Sequence, residues 1–234
     1  MLVFIIVFIA IFTQTVTGFG VALVSMPLLL LVLDIQVASP LVALVAGVAE
    51  LLLLIHYRAS LNVRAVARLI VASLVGIPLG VLLLRQVDEG VITAVLGGLI
   101  VVYALVGLLG LRLPQLAHPA WSYGFGFAAG LLGGAYNISG PPVIIYGNCR
   151  RWPPAEFKSN LQGFFVVSSY TIIATHAIGG NFTPVVWQNF LLALPAILLA
   201  LVVGFQVDKY FDPQRFQRVV LVVLVILGIS LIVS

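Results

Sequence analysis

Apolar residues along this chain fall into blocks at about 2–17, 21–33, 38–57, 66–84, 91–111, 119–135, 141–148, 157–178, 185–206 and 217–233. Blocks of about 18 residues or more match the roughly 30 Å of hydrocarbon in a bilayer. The pattern predicts an all-α polytopic membrane protein. Two places break it. Thr17-Gly18-Phe19-Gly20 is followed by Ser25-Met26-Pro27 and a leucine run ending at Asp34. Gly133-Gly134-Ala135-Tyr136-Asn137-Ile138-Ser139-Gly140-Pro141-Pro142 is followed by Val-Ile-Ile-Tyr146 ending at Asn148. The segments 27–34 and 141–148 are too short to span, since eight helical residues cover only about 12 Å. Each reads as a half-helix turning back after a glycine-rich break. Unsatisfied backbone costs several kcal/mol per group in lipid, so such breaks survive only inside protein or beside a water-filled cavity. Paired interruptions in two halves of a chain point to a transporter's substrate site.

Composition agrees. The chain is 62% hydrophobic and 8% charged, with a mean hydropathy of +1.24, which excludes a soluble domain. The start, Met1-Leu2-Val3-Phe4, has no positive n-region, and no small-residue cleavage site precedes Gly18, so it reads as a retained membrane segment. The one cysteine, Cys149, excludes an internal disulfide. A net charge of +4 reflects membrane orientation, not nucleic-acid binding, because the cations sit between hydrophobic spans. With a hairpin before Asp34 and alternating spans after it, Arg58, Arg64, Arg68, Arg112, Arg150, Arg151, Lys158, Lys209, Arg215 and Arg218 fall on one side. Only Arg85 falls on the other. This predicts a multi-pass membrane protein with both termini external.

Each half then holds one hairpin and three spans, an odd number of crossings. The expectation is two inverted-topology repeats, 1–114 and 115–234, within one membrane domain. Gly20/Gly134, Ser25/Ser139, Pro27/Pro141, Asp34/Asn148 and Pro40/Pro154 share an offset of 114. After a ten-residue insertion, Gly80…Asp88 matches Gly204…Asp212.

The chemistry gathers at the breaks. Ser139 can cap the amides of a half-helix, and Pro141 suits its first turn. The exposed amides and the positive dipole end then make an anion site without a cation, and Ser25-Met26-Pro27 is expected to repeat this from the other face. The candidate lining is Gln14, Thr17, Gly18, Phe19, Gly20, Ser25, Tyr136, Asn137, Ile138, Ser139, Gly140, Pro141, Tyr146 and Asn160. The competing explanation is close helix packing at the glycines. Glu50 is the most deeply embedded acid, a candidate proton-coupling site or a partner for Arg58 or His56. Lys158, on one face with Gln162, either draws an anion into an inward vestibule or snorkels to set orientation. His176 is a titratable group near the outer end of its span. No nucleotide motif and no Cys or His cluster is present, so neither a cofactor nor a metal is expected. An anion channel, and a membrane-embedded enzyme, remain as alternatives to a carrier.

Gly18-Phe19-Gly20-x4-Ser25-x-Pro27-Leu-Leu, and Gly130-Leu-Leu-Gly133-Gly134 through Ser139-Gly140-Pro141-Pro142-x3-Tyr146 to Glu156-Phe157-Lys158-x-Asn160-Leu161-Gln162, resemble the motifs of the sulfite exporter TauE/SafE family of anion permeases, also called TSUP. Val21-Ala22 stands where that family's glycine cluster often continues. The resemblance implies transport of sulfite, sulfonates such as sulfoacetate, or related sulfur-containing or organic anions across a bacterial-type plasma (inner) membrane. Its implied partners are the anion and the lipid bilayer, with a homodimer compatible and no nucleic acid.

Overall fold

The structure is a computed structural model that describes residues 1–86, 88–110, 114–207 and 213–233. Ten α-helices make up the described chain: α1 (Leu2–Thr17), α2 (Val21–Leu29), α3 (Ile35–Tyr57), α4 (Val63–Gln86), α5 (Glu89–Leu108), α6 (Trp121–Tyr136), α7 (Gly140–Cys149), α8 (Pro154–Ile178), α9 (Pro184–Val207) and α10 (Pro213–Val233). A 3-10 turn, Arg58–Ser60, links α3 to α4. Five stretches are long and apolar enough to cross a bilayer: Ile35–Ser60, Val63–Leu83, Pro154–Ile178, Pro184–Val207 and Phe216–Val233. Proline opens α8, α9 and α10, where its missing amide needs no partner. Leucines and valines on the outer faces of α4, α9 and α10 stay exposed, as a lipid-facing surface requires. This is an all-helical, polytopic membrane fold.

Both predicted short helices form, but the first begins earlier than expected. It starts at Val21, not at Pro27, which lies inside it. The reason is local: Gly18 at φ +88 ends α1, and Gly20 at φ +124 forces the turn, so helix geometry resumes at Val21.

The helices of the second half repeat the lengths and order of the first. Leu2 to Trp121, Val21 to Gly140 and Ile35 to Pro154 are each 119 residues apart; Val63 to Pro184 is 121 and Glu89 to Pro213 is 124. The elements therefore align at 119, not at the 114 that the residue matches favoured. Gly134 lies inside α6, packed against the carbonyl of Ile77. Asn137, in the left-handed region at φ 59, ends α6 as Gly18 ends α1. Asp212, Lys209 and Arg112 lie outside the described residues.

The halves interleave. The fourth helix of each packs on the first helix of the other, α4 on α6 and α9 on α1, while α3 meets α8 and α5 meets α10. The α4–α6 seam brings backbone onto backbone. A Cβ built at Gly126, Gly130 or Gly134 would lie 2.3, 2.5 or 2.1 Å from a carbonyl oxygen of α4, and one at Gly76 or Gly80 would clash with α6 in return. Small residues let helices approach this closely where no hydrophobic effect drives association. Gly130→Leu is therefore expected to separate α4 from α6 and cost about 1–3 kcal/mol or more, read as a lower melting temperature in detergent. Gly98→Ala, with nothing within 4 Å, should leave it unchanged.

Candidate functional site

The first break is stitched by side chains from both halves. Gln14 Oε1 accepts the Val21 amide at 2.7 Å, taking one of the orphan donors at the start of α2. Gln162 Nε2, from α8, donates to the Gly18 carbonyl at 2.8 Å, and Gln14 Nε2 lies 3.4 Å from Gln162 Oε1. Thr17 Oγ1 sits 2.8 Å from the Thr13 carbonyl and 2.6 Å from that of Phe19. Lys158 lays its stem against Gly18, reaches the Val16 carbonyl at 3.4 Å and holds its ammonium 5.5 Å from the Tyr57 ring centroid.

The second break is tied in the same way from the first half. Asn137 Nδ2 donates to the carbonyl of Ser39, on α3, at 2.8 Å and lies 3.0 Å from its hydroxyl. His176 Nε2 lies 3.3 Å from that hydroxyl, and His176 Nδ1 is 2.7 Å from Asn181 Nδ2. Ser139 precedes α7 without a side-chain capping bond, so the expected serine cap is not made. Pro141 and Pro142 carry no amide, which leaves Gly140 as the donor at the start of α7. Across from it, Ala22 and Leu23 carry the first-turn amides of α2 beyond the one Gln14 occupies.

The two breaks share one chamber. Gln14, Gly20, Val21, Ala22, Leu23, Glu50, Asn137, Ile138, Ser139, Gly140 and Phe165 enclose a volume of about 20 Å³, room for a water-sized occupant. Glu50 is 6% exposed and accepts a hydrogen bond from Ser169 Oγ, with Gln14 as its other neighbour. Its neighbours are thus Ser169 and Gln14, not Arg58 or His56; the His56 ring stacks on Phe205, centroids 4.1 Å apart.

Of the residues singled out in the sequence, Gln14, Gly20, Asn137, Ile138, Ser139, Gly140 and Glu50 meet here. Tyr136 and Pro141 line an adjoining apolar pocket with Leu23 and Ile138. Phe19 faces the Tyr103 ring edge-on at 6.4 Å. Ser25 lies a turn inside α2, its hydroxyl donating to the Val21 carbonyl at 2.6 Å, so Ser25-Met26-Pro27 does not form a half-helix end. Tyr146 packs between Phe125 and Trp152. Asn160 accepts the Asn62 amide at 2.9 Å and donates to Glu156 at 3.2 Å. Ser39, Ser169 and Phe165 belong to the site or its ties without having been singled out. Isolated serines in apolar helices leave no periodic signal, because they commonly bond their own backbone.

A family profile described as Sulfite exporter TauE/SafE matches residues 3–231. The chain belongs to the sulfite exporter TauE/SafE family. It is 29% identical over 233 residues to a "Probable sulfite/organosulfonate exporter TauE" of Cupriavidus necator, covering 93% of this chain and 88% of that one. It is also 27% identical over 173 residues to a "Probable inner membrane transporter protein TsaS" of Comamonas testosteroni, covering 72% and 71%. No solved structure matches. Membership in this family makes the chain a multi-pass membrane transporter, not an enzyme.

The Asn137 tie can be separated from the backbone turn it decorates. Asn137→Ala loses both bonds to Ser39 and places a residue ill-suited to the left-handed region at φ 59, an expected cost of about 2–4 kcal/mol. Asn137→Gly loses only the bonds and should melt measurably higher than the alanine variant in detergent.

Proposed function

We propose that this protein carries small oxyanions of the sulfite and sulfonate class across the inner membrane by alternating access, holding the anion between the starts of α2 and α7. One observation carries the reading: breaks from both halves of the chain open onto a single chamber whose free donors are amides at helix starts. Each helix start contributes up to about 2 kcal/mol to a partly buried anion. Such a site takes a spread-out oxyanion without demanding a desolvated counter-cation. The name of the Cupriavidus necator relative supports the sulfur-anion class. The water-sized volume supports a carrier over an open channel, since a sulfonate needs the chamber to widen around it.

In this reading the halves, about 1–114 and 115–234, are inverted repeats in a register of 119 to 124, with the cation-rich loops in the cytoplasm. Gln14 and Asn137 are the side chains that adjust to the guest. Glu50 is the proton site. It shares the chamber wall with the bound anion, and two like charges about 5 Å apart at an effective dielectric of about 20 repel by about 3 kcal/mol. Binding of the anion therefore favours the protonated carboxyl, and the two travel together toward the more alkaline compartment.

Labelled methanesulfonate in proteoliposomes tests this, because that anion stays singly charged at every working pH. Saturable uptake, counterflow, and acceleration by an alkaline interior are expected. Sulfite, sulfoacetate and thiosulfate should compete, and cations or neutral solutes should not. Gln14→Ala and Asn137→Ala are expected to raise KM about tenfold, the loss of about 1.4 kcal/mol. Glu50→Gln should keep counterflow but lose the response to the pH gradient. Unchanged affinity in the first two variants contradicts the lining, and an intact pH response in the third contradicts the proton site.

A further inference from the structure

A second and much larger cavity, about 870 Å³, lies among α5, α7 and α10, lined by Tyr103, Gly107, Ile144, Asn148, Arg151 and Gln217 together with the turn into α8. Its size is that of a small-molecule site. Two side chains of its wall reach toward the chamber. Ile144 lines the cavity, and its Cδ1 lies 3.6 Å from where a Cβ on Gly140, a chamber residue, would sit. Tyr103 also lines the cavity, and its ring stands edge-on to that of Phe19 at 6.4 Å, between the two glycines of the first break.

Arg151, a cation facing this cavity, is held at a conformational cost. The end of α7 is closed by two bonds, Arg151 N–H to the Asn148 carbonyl and Trp152 N–H to the Gly147 carbonyl, both 3.1 Å. That is the Schellman arrangement, whose left-handed position glycine normally fills. Here Arg151 fills it, at φ 57. A residue other than glycine gives up about 1 kcal/mol there, and a local rule broken without structural gain marks a functional position. Its neighbour Arg150 is engaged otherwise, donating from Nη1 to the carbonyls of Leu116 and Ala117 at 2.8 Å each.

We infer that this cavity is the access vestibule through which a small oxyanion reaches the chamber, with Arg151 collecting it at the mouth and Phe19, Tyr103 and Ile144 forming the partition that parts. The inference rests on the carrier reading above and adds the route. Once inside, the anion exchanges the guanidinium for the helix-start amides, so Arg151 governs capture and not the affinity of the chamber.

Thiol labelling tests the route without requiring transport. In a Cys149→Ser background, Ile145→Cys is placed in neutral phosphatidylcholine liposomes. It is treated with anionic sulfonatoethyl methanethiosulfonate or its cationic trimethylammonioethyl analogue. The anionic reagent is expected to react faster, and adding Arg151→Gly should cut that preference about tenfold while leaving the melting temperature unchanged or raised. Ser139→Cys, behind the partition, should label slowly until Tyr103→Ala is added. Unreactive Ile145→Cys, or a preference indifferent to Arg151, overturns the inference. So does labelling that added phosphatidylglycerol abolishes, since the cavity then belongs to a lipid headgroup. Counterflow of methanesulfonate on the same vesicles separates the two ideas. Counterflow without selective labelling sinks the vestibule alone, and selective labelling without counterflow sinks the carrier.

Discussion

The hydrogen bonds from Asn137 to Ser39 and from Gln162 to Gly18 both cross between the two halves of the chain, and the site exists because of them. A glycine-rich break in a membrane helix leaves backbone groups without partners, and lipid offers none. Each break is satisfied instead by the long helix of the opposite half, α8 for the first and α3 for the second. In the register of 119, Gly18 corresponds to Asn137 (18 + 119) and Ser39 to Lys158 (39 + 119). The Lys158 stem against Gly18 is thus the counterpart of the Ser39–Asn137 bond. Glu50 corresponds to Ser169 (50 + 119), and those two bond each other.

This reciprocity divides the molecule into parts with different mechanical duties. The α4–α6 seam is locked by glycines in backbone contact and leaves little room to slide. The polar ties at the breaks are few and individually worth about 1 kcal/mol net. In the proposed carrier they are the contacts that exchange when the chamber widens. A carrier needs both: rigid bodies that move as units, and a hinge zone whose bonds are cheap to trade.

Much of this was legible in the sequence because membranes permit so few structures. Block lengths alone located the spans, and the two short interruptions located the breaks. The register was not legible, since Gly20 and Gly134 look alike while one turns a chain and the other packs on the Ile77 carbonyl. Only backbone geometry separates those duties, and it gives the role of Gly18 to an asparagine. Ser25 misled for a related reason: beside Pro27 it resembles a helix start, yet Gly20 had already restarted the helix four residues earlier. Ser39, Ser169 and Tyr103 left no trace because their roles depend on what faces them across the bundle. Val21-Ala22, where the family's glycines often continue, costs the turn nothing here, since both residues are already helical.

In the proposed carrier, helix starts from both halves hold one anion between them. Selenite, shaped like sulfite and carrying an anomalous scatterer, reports the position directly in crystals of the protein soaked with it. An anomalous peak is expected in the chamber, within hydrogen-bond reach of the Gly140 amide and the first-turn amides of α2. A chamber without a peak, and selenite bound only at surface arginines, would contradict it.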